Sequence, residues 1–310
     1  MRALVIGADG FAGRWLTRHL VESGDAVWAG VGAHYRAPLD GAEDVHQVDV
    51  RDAGSVADLV TAARSDVVYD LAGISGREAR EDLDAAIGVS VIGGMNLLLA
   101  AGRQKHAPRL LFVSTGYVYR AADDPVDESA ALEPGSLYAA AKLAAERALF
   151  SVSPLVGVEV VVARPFNHIG PGQRGTFLVP TLARQVAEVA AGAISEVEIR
   201  DPTIVRDFTD VRDVVRAYRL LAERGVAGEA YNIGSGHGVA VADVAATLAS
   251  IAGTTLRIRR SADAERHEAP VLVGDARKIE SLGWGRTHEL RTTLRDVLKE
   301  YVAATAATGG

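Results

Sequence analysis

Tyr138 and Lys142 stand four residues apart at the head of a stretch rich in Ala, Leu, Glu and Arg that reads as helix through Leu149. Residues at that spacing share a helix face, so a phenol and an ammonium point into the same space. A nearby ammonium favours the phenolate and lowers the tyrosine pKa. A group of reference pKa about 10 then becomes a proton donor or acceptor usable near neutrality. Alone, the pair also describes a solvated helix face. Two other stretches add to it: the turn Gly7-Ala8-Asp9-Gly10-Phe11-Ala12-Gly13 and the hydroxyls Ser114-Thr115. A hydroxyl beside the tyrosine can hydrogen-bond a substrate carbonyl; without the tyrosine, the two hydroxyls read as a strand cap.

These residues need elements to position them. A short apolar run over 2–6 precedes the glycines and a helical pattern over 14–22 follows, which is the strand-turn-helix context of a dinucleotide site. The glycines permit a tight turn and a close backbone approach to a pyrophosphate, and the helix N-terminus offers it N–H donors. The spacing is G-x-x-G-x-x-G. A second strand over 26–31 leads into Val31-Gly32-Ala33-His34-Tyr35-Arg36, with no acid to bind a ribose 2′-hydroxyl. Arg36, with Arg14, suits a 2′-phosphate, which predicts NADP(H); otherwise Arg36 is a surface arginine. A strand over 45–48 ends at Asp49, an adenine contact or a loop cap. A helix over 55–64, a strand over 67–73 ending in small residues, a long helix over 79–104 and a strand over 110–113 follow. The alternation predicts a parallel sheet with helices on both faces. Gly7, Gly73 and Ser114-Thr115 all follow strand ends, so they converge on the sheet edge where ligands of such sheets bind. Further helices are expected over 177–192, 210–223, 241–251 and 293–304, with a frayed end from 303. His168 and His237 lack spaced partners and read as loop residues, so no metal is assigned.

Composition narrows the class. Apolar residues make up 48% of the 310, enough for a core. No uninterrupted apolar run reaches membrane-spanning length, and the N-terminal run reads as a first strand rather than a signal peptide. The expected setting is cytoplasmic. There are no cysteines, which rules out disulfides and thiolate chemistry. A net charge of −7 without a basic stripe argues against nucleic acid. Lys105, Lys142, Lys278 and Lys299 are the only lysines.

Together, Gly7-x-x-Gly10-x-x-Gly13, Ser114-Thr115 before Val118-Tyr119, and Tyr138-x-x-x-Lys142 resemble the extended short-chain dehydrogenase/reductases that act on nucleotide sugars. The stretch Arg164-Pro165-Phe166-Asn167-His168-Ile169-Gly170-Pro171-Gly172-Gln173 is similar to the branch holding GDP-mannose 4,6-dehydratases and GDP-4-keto-6-deoxymannose reductases. Val205-Arg206-Asp207-Phe208-Thr209-Asp210-Val211 and Tyr231-Asn232-Ile233-Gly234-Ser235-Gly236 also fit. The resemblance implies a Rossmann-type doubly wound parallel sheet with a smaller C-terminal α/β substrate domain. Residues 1–165 plus about 209–234 would bind NADP, and 166–208 plus 235–310 the nucleotide sugar. It implies Tyr138 as proton donor, Lys142 on the nicotinamide ribose and Thr115 on the reacting oxygen. Cofactor contacts would come from Gly7, Gly10, Phe11, Ala12, Gly13, Arg36, Asp49, Val50, Leu71, Ala72, Gly73 and Pro165. Asn167 and Arg206 would hold the diphosphate, Val179 would lie near the base or ribose, and Arg266 would touch the nucleotide. A guanidinium fork suits a diphosphate, though Arg206 could equally pair with Asp207 or Asp210. The family also implies a homodimer, formed through the helices over 79–104 and 138–149.

Departures from the family pattern bear on the reaction. Two residues after the catalytic hydroxyl the dehydratases carry a glutamate base, and the GDP-fucose synthases a cysteine partnered by a histidine. Here those places read Tyr117 and Gly172. A phenol without a second base suits neither elimination nor two-face epimerisation. What remains is hydride transfer with one proton donor. This points to NADPH-dependent reduction of the C4 ketone of a nucleoside-diphosphate 4-keto-6-deoxyhexose: GDP-4-keto-6-deoxymannose to GDP-rhamnose, or a dTDP-linked equivalent. The competing readings are a 4-epimerase or 4,6-dehydratase, and an NADP-sensing binding protein.

Overall fold

The computed structural model describes residues 1–33, 35, 37–74, 76–261 and 271–308, with backbone only for Arg77 and 304–308. The first half of the chain runs β1 (Arg2–Ile6), α1 (Phe11–Glu22), β2 (Ala26–Val31), β3 (Asp44–Gln47), α2 (Ala53–Ala63), β4 (Val67–Asp70), α3 (Gly76–Glu81) and α4 (Leu83–Ile87). A π-helical turn (Gly88–Gly93), α5 (Gly94–Gly102), β5 (Arg109–Val113), a 3-10 turn (Gly116–Val118), α6 (Leu137–Val156) and β6 (Val160–Pro165) follow. The second half adds β7 (Asn167–Ile169), α7 (Leu178–Ala190), β8 (Val197–Ile199), β9 (Val205–Asp210), α8 (Val211–Arg224) and β10 (Ala230–Ile233). It ends with β11 (Gly238–Ala240), α9 (Val241–Ala252), β12 (Ile258–Arg260), β13 (Val271–Leu272), α10 (Arg277–Glu280) and α11 (Leu290–Thr308).

Seven parallel strands form the main sheet in the order β10-β6-β5-β4-β1-β2-β3. Their apolar runs are explained by burial on both faces: alternate residues of one strand feed opposite cores. Val5 packs with Leu16 and Leu20 of α1 and with Val214, Tyr218 and Leu221 of α8. Leu4 and Ile6 pack with Val56 and Leu59 of α2, Leu97 and Leu98 of α5, and Leu149 of α6. This is a doubly wound, Rossmann-type α/β fold. A second, smaller α/β region holds β9 between β11 and β13, with β7 also paired to β9, and a separate β8–β12 pair. Its core lies among α7, α9 and α11.

The strands expected over 26–31 and 110–113 are present within a residue, and most helices agree within a turn. The helix expected over 79–104 is instead broken. Asp82 caps α4 by accepting the Ala85 N–H at 2.8 Å, and Gly88–Gly93 is π-helical. A Cβ on Gly93 would lie 2.6 Å from Val50 Cγ2, so the turn passes close over the segment that follows β3. The last helix continues to Thr308 rather than fraying from 303. The stretch Leu83–Gly102 is long and apolar enough, by length and composition, to cross a membrane; in this fold it packs on α2 and α6.

Candidate active site

The glycine turn leaves β1 with Gly7 at φ +76°, a backbone that favours glycine. Gly7 and Ala8 donate their N–H groups to Gly30 O at 2.9 and 3.1 Å, which ties the turn to β2. A Cβ on Gly13 would sit 2.1 Å from Gly7 O, and one on Gly7 2.9 Å from Leu71 O. The turn therefore lies against Leu71-Ala72 at the end of β4, as expected for two walls of one pocket. Gly10 starts α1 with no side-chain cap, so the first N–H groups of that helix have no side-chain acceptor there. A turn that close-packed, opening onto an uncapped helix N-terminus, fits a dinucleotide pyrophosphate. Phe11 stacks on the His168 ring at 5.9 Å and 8°. His168 thus lies on β7, not in a loop, and burial pushes its pKa down.

At the end of β2 the structure adds what the linear reading missed. The Asp9 carboxylate, from within the glycine turn, accepts the Gly32 N–H at 3.3 Å. An acid therefore stands at the position where the residues following β2 offer none. Arg14 donates to the carbonyls of Asp9 (3.2 Å), Pro38 (3.1 Å) and Ala37 (3.3 Å), holding the loop that follows. Arg36 lies outside the described residues. Asp49 is exposed, and Arg51 Nη2 donates to its carboxylate at 2.6 Å, so it behaves as a loop residue. Val50 is buried, with its carbonyl accepting Asn96 Nδ2 at 2.9 Å.

Thr115 and the head of α6 meet as expected. Ser136 caps α6 by accepting the Ala139 N–H at 3.2 Å, which sets Tyr138 and Lys142 on its inner face. The Tyr138 phenol faces the Thr115 hydroxyl, which pulls its pKa down. Thr115 Oγ1 also accepts the Tyr117 N–H at 3.2 Å, capping the 3-10 turn. Ser114 points elsewhere, its Oγ buried and without a partner.

Lys142 departs from expectation. Its Nζ donates to Ala72 O at 3.1 Å and Val113 O at 2.9 Å, spanning the ends of β4 and β5. It does not lower the Tyr138 pKa: burial drives that phenol up to about 12, the Thr115 hydroxyl opposing only in part. The ammonium's charge is met instead by Asp70, buried at the end of β4. Burial raises Asp70 to about 6 against the pull of Lys142 and of the Ala72 N–H. Burial also lowers Lys142 itself, with Asp70 and Glu146 opposing.

Glu146, one further turn along α6, was not anticipated, although its spacing of four from Lys142 repeats that of Tyr138. Its carboxylate receives Arg164 Nε at 3.1 Å and Nη2 at 2.6 Å, both residues being buried. Arg164 Nη1 donates to Tyr119 Oη at 2.7 Å. Tyr119 Oη donates to Asn232 Oδ1 at 2.7 Å, and Asn232 Nδ2 to Val126 O at 2.9 Å. This closed polar thread fixes α6 to β6, the 3-10 turn and β10. It gives the Arg164 and Asn232 motifs a structural meaning.

Tyr117, Asn167 and Arg206, expected on the substrate side, come together. Tyr117 Oη donates to Asn167 Oδ1 at 3.0 Å, and the Arg206 guanidinium lies 5.9 Å over the Tyr117 ring. Neither carboxylate proposed as a partner for Arg206 is used that way. Asp207 accepts the N–H groups of Ser235 (2.6 Å), Gly236 (3.1 Å) and Gly274 (3.2 Å), and Asp210 binds Arg212 and Thr293. Pro165 ends β6 beside this group. Val179 is 1% exposed and packs with Ile169, Leu182 and Phe208; it is a core residue and presents no open surface to a ligand. Arg266 lies outside the described residues.

Comparison with known proteins follows the same lines. The pattern of the NAD dependent epimerase/dehydratase family matches residues 3–234. The chain is 33% identical over 307 residues to the GDP-6-deoxy-D-mannose reductase of Pseudomonas aeruginosa, covering 97% of each. Its fold is similar to that of RMD from Pseudomonas aeruginosa complexed with NADPH, with a TM-score of 0.84 and 30% identity over 98% of this chain and 100% of that one. It is also similar to Thermus thermophilus UDP-glucose 4-epimerase in complex with NAD, with a TM-score of 0.86 and 27% identity over 98% and 100%. With its glycine turn, its hydroxyl-tyrosine-lysine group and this match over most of its length, the chain belongs to the NAD dependent epimerase/dehydratase family.

Proposed function

We propose that the protein reduces the C4 ketone of a nucleoside-diphosphate 4-keto-6-deoxyhexose with NADP(H), GDP-4-keto-6-deoxymannose being the first choice and a dTDP-linked sugar the next. Residues 1–165 with about 209–234 form the cofactor part in this reading, and 166–208 with 235–310 the sugar part. The cofactor, held by the glycine turn and the ends of β4 and β5, supplies the hydride. Thr115 and Tyr138 hold the ketone oxygen, and Tyr138 gives it a proton. Asn167 and Arg206 hold the diphosphate. The observation that carries the reading is Tyr117. Where elimination or epimerisation at C3 and C5 in this family needs a base, the chain has a phenol whose proton is committed to Asn167 at 3.0 Å. Similarity to a reductase and to an NADPH complex supports it. The test follows loss of NADPH absorbance with GDP- and dTDP-4-keto-6-deoxy sugars made in situ, beside a Tyr138→Phe control. Turnover of one sugar, lost in the variant, is expected; no turnover of either ends the proposal.

One observation favours a second reading, a 4-epimerase that retains NAD. Asp9 beside Gly32 N is an acceptor suited to a ribose 2′-hydroxyl and repels a 2′-phosphate. The nicotinamide released from the denatured protein separates the two: NADP(H) supports the reductase, and tightly held NAD the epimerase.

A homodimer through the helices over 79–104 and 138–149 belongs to the same proposal. Leu83, Ile87, Ile92 and Leu99 are exposed in the first of these stretches, and Leu137 and Leu155 towards the two ends of α6, more large apolar side chains than a solvated face needs. Light scattering should give twice the chain mass of 32.6 kDa.

A further inference from the structure

Tyr117 is more than the absence of a base. Its peptide N–H is held by Thr115 Oγ1 at 3.2 Å, so its position is tied to the hydroxyl that faces the reacting ketone. Its side chain then does two things at once. The ring carries the Arg206 guanidinium at 5.9 Å, within the range of a cation–π contact. The hydroxyl donates to Asn167 Oδ1 at 3.0 Å. A carboxamide has one acceptor end and one donor end. With the acceptor end taken by the phenol, Asn167 must turn its Nδ2 donors the other way, and among the described residues no protein acceptor meets them. Arg206 is independently braced: Nη1 donates to Val205 O at 2.9 Å, and the adjoining Asp207 is pinned by three backbone amides. Guanidinium and carboxamide thus both rest on one aromatic residue.

We propose that Tyr117 is the positioning residue of the diphosphate clamp, fixing the sense of the Asn167 amide with its hydroxyl and the plane of Arg206 with its ring. This rests on the reading of Asn167 and Arg206 as diphosphate contacts. It assigns to the position a binding role in place of the proton-transfer role that a carboxylate or thiol plays there in relatives. Preorganised donors need not be reordered on binding, so their loss appears in affinity rather than in the chemical step.

The experiment uses cofactor-loaded protein and titrates GDP and dTDP calorimetrically, alongside steady-state ketone reduction. Tyr117→Phe keeps the ring and removes one hydroxyl. Dissociation of the better nucleoside diphosphate and the KM for the keto sugar should both rise about three- to tenfold, the size of one neutral hydrogen bond. The kcat and its pH profile should stay within about twofold. Asn167→Ala should show a similar loss, and the double variant no more than the worse single one. Tyr117→Leu, which also removes the ring, should bind more weakly than Tyr117→Phe. Wild-type affinity in Tyr117→Phe overturns the inference while leaving the proposed function intact. So does a kcat that collapses at constant KM, since that is the mark of a proton-transfer role. If the wild-type protein binds neither nucleoside diphosphate, the functional reading falls and this inference with it.

Discussion

The ionisation of Tyr138 offers a sharp test, because the geometry reverses the expectation from spacing alone. Lys142 is four residues away, yet its ammonium is spent on Ala72 O and Val113 O, and burial lifts the phenol to about 12. That is about two units above a free tyrosine, equivalent to about 3 kcal/mol against the phenolate. At pH 7 only about one molecule in 10⁵ is then ionised, against about one in 10³ for free tyrosine. The side chain is a fixed acid in the cofactor-free protein. Tyrosinate absorbance should be compared in wild type and Tyr138→Phe as pH rises from about 6 to 10; the difference curve should be flat. Lys142→Met should leave that flatness unchanged. It should instead destabilise the fold, since two carbonyls lose their donor and buried Asp70 its counter-charge, at a cost of about 3 kcal/mol. A phenol titrating near pH 7 in wild type and absent from Tyr138→Phe refutes the reasoning. So does a Tyr138 pKa that climbs when Lys142 is removed.

Other perturbations follow from the same structure. Glu146→Gln leaves Arg164 buried without its carboxylate, and should cost about 3–5 kcal/mol in urea unfolding; an unchanged midpoint would count against the polar thread. Gly13→Ala places a Cβ 2.1 Å from Gly7 O, so the turn must open; dinucleotide affinity should fall at least about tenfold with a stability loss of about 1–3 kcal/mol, both measurable by cofactor titration and melting. Asp70 is raised from 3.8 to about 6 in the fold, so the native state takes up its proton before the unfolded chain does. Acidification from about pH 6 to 4 therefore favours the fold, by up to about 3 kcal/mol from this group. The melting-temperature difference between wild type and Asp70→Asn should move toward wild type over that window, and a pH-independent difference would contradict the assignment.

Much of the architecture was legible because it rests on local rules. Apolar runs buried on both faces marked the strands of the main sheet, and the glycine spacing marked the first turn. Tyr138, Lys142 and Thr115 converge as their strand-end and helix-face positions require. What could not be read was set by contacts distant in sequence. Asp9 reaches Gly32 only because Gly7 and Ala8 bind Gly30 across β1 and β2. Asp70 and Glu146 are ordinary acids until the fold buries them beside Lys142 and Arg164. Val179 carries the right residue type for a ligand wall, yet it is buried in the core of the second region. The π-helical turn Gly88–Gly93 lies against Val50, three residues beyond β3, a contact between segments distant in sequence that no periodicity encodes.

The thread from Glu146 through Arg164 and Tyr119 to Asn232 also sets an order of events. Asn232 belongs to β10, the edge strand paired to β6. A chain emerging from the ribosome therefore holds its tyrosine-lysine helix, its first hydroxyls and its glycine turn long before the last member of the thread exists. Until residue 232 arrives, Tyr119 Oη lacks its acceptor and β6 is an open sheet edge, a surface prone to pairing with other chains. The fixing of α6 thus waits on synthesis of β10. A chain stopped at 228 should leave α6 open to protease, whereas one stopped after α10 should protect it.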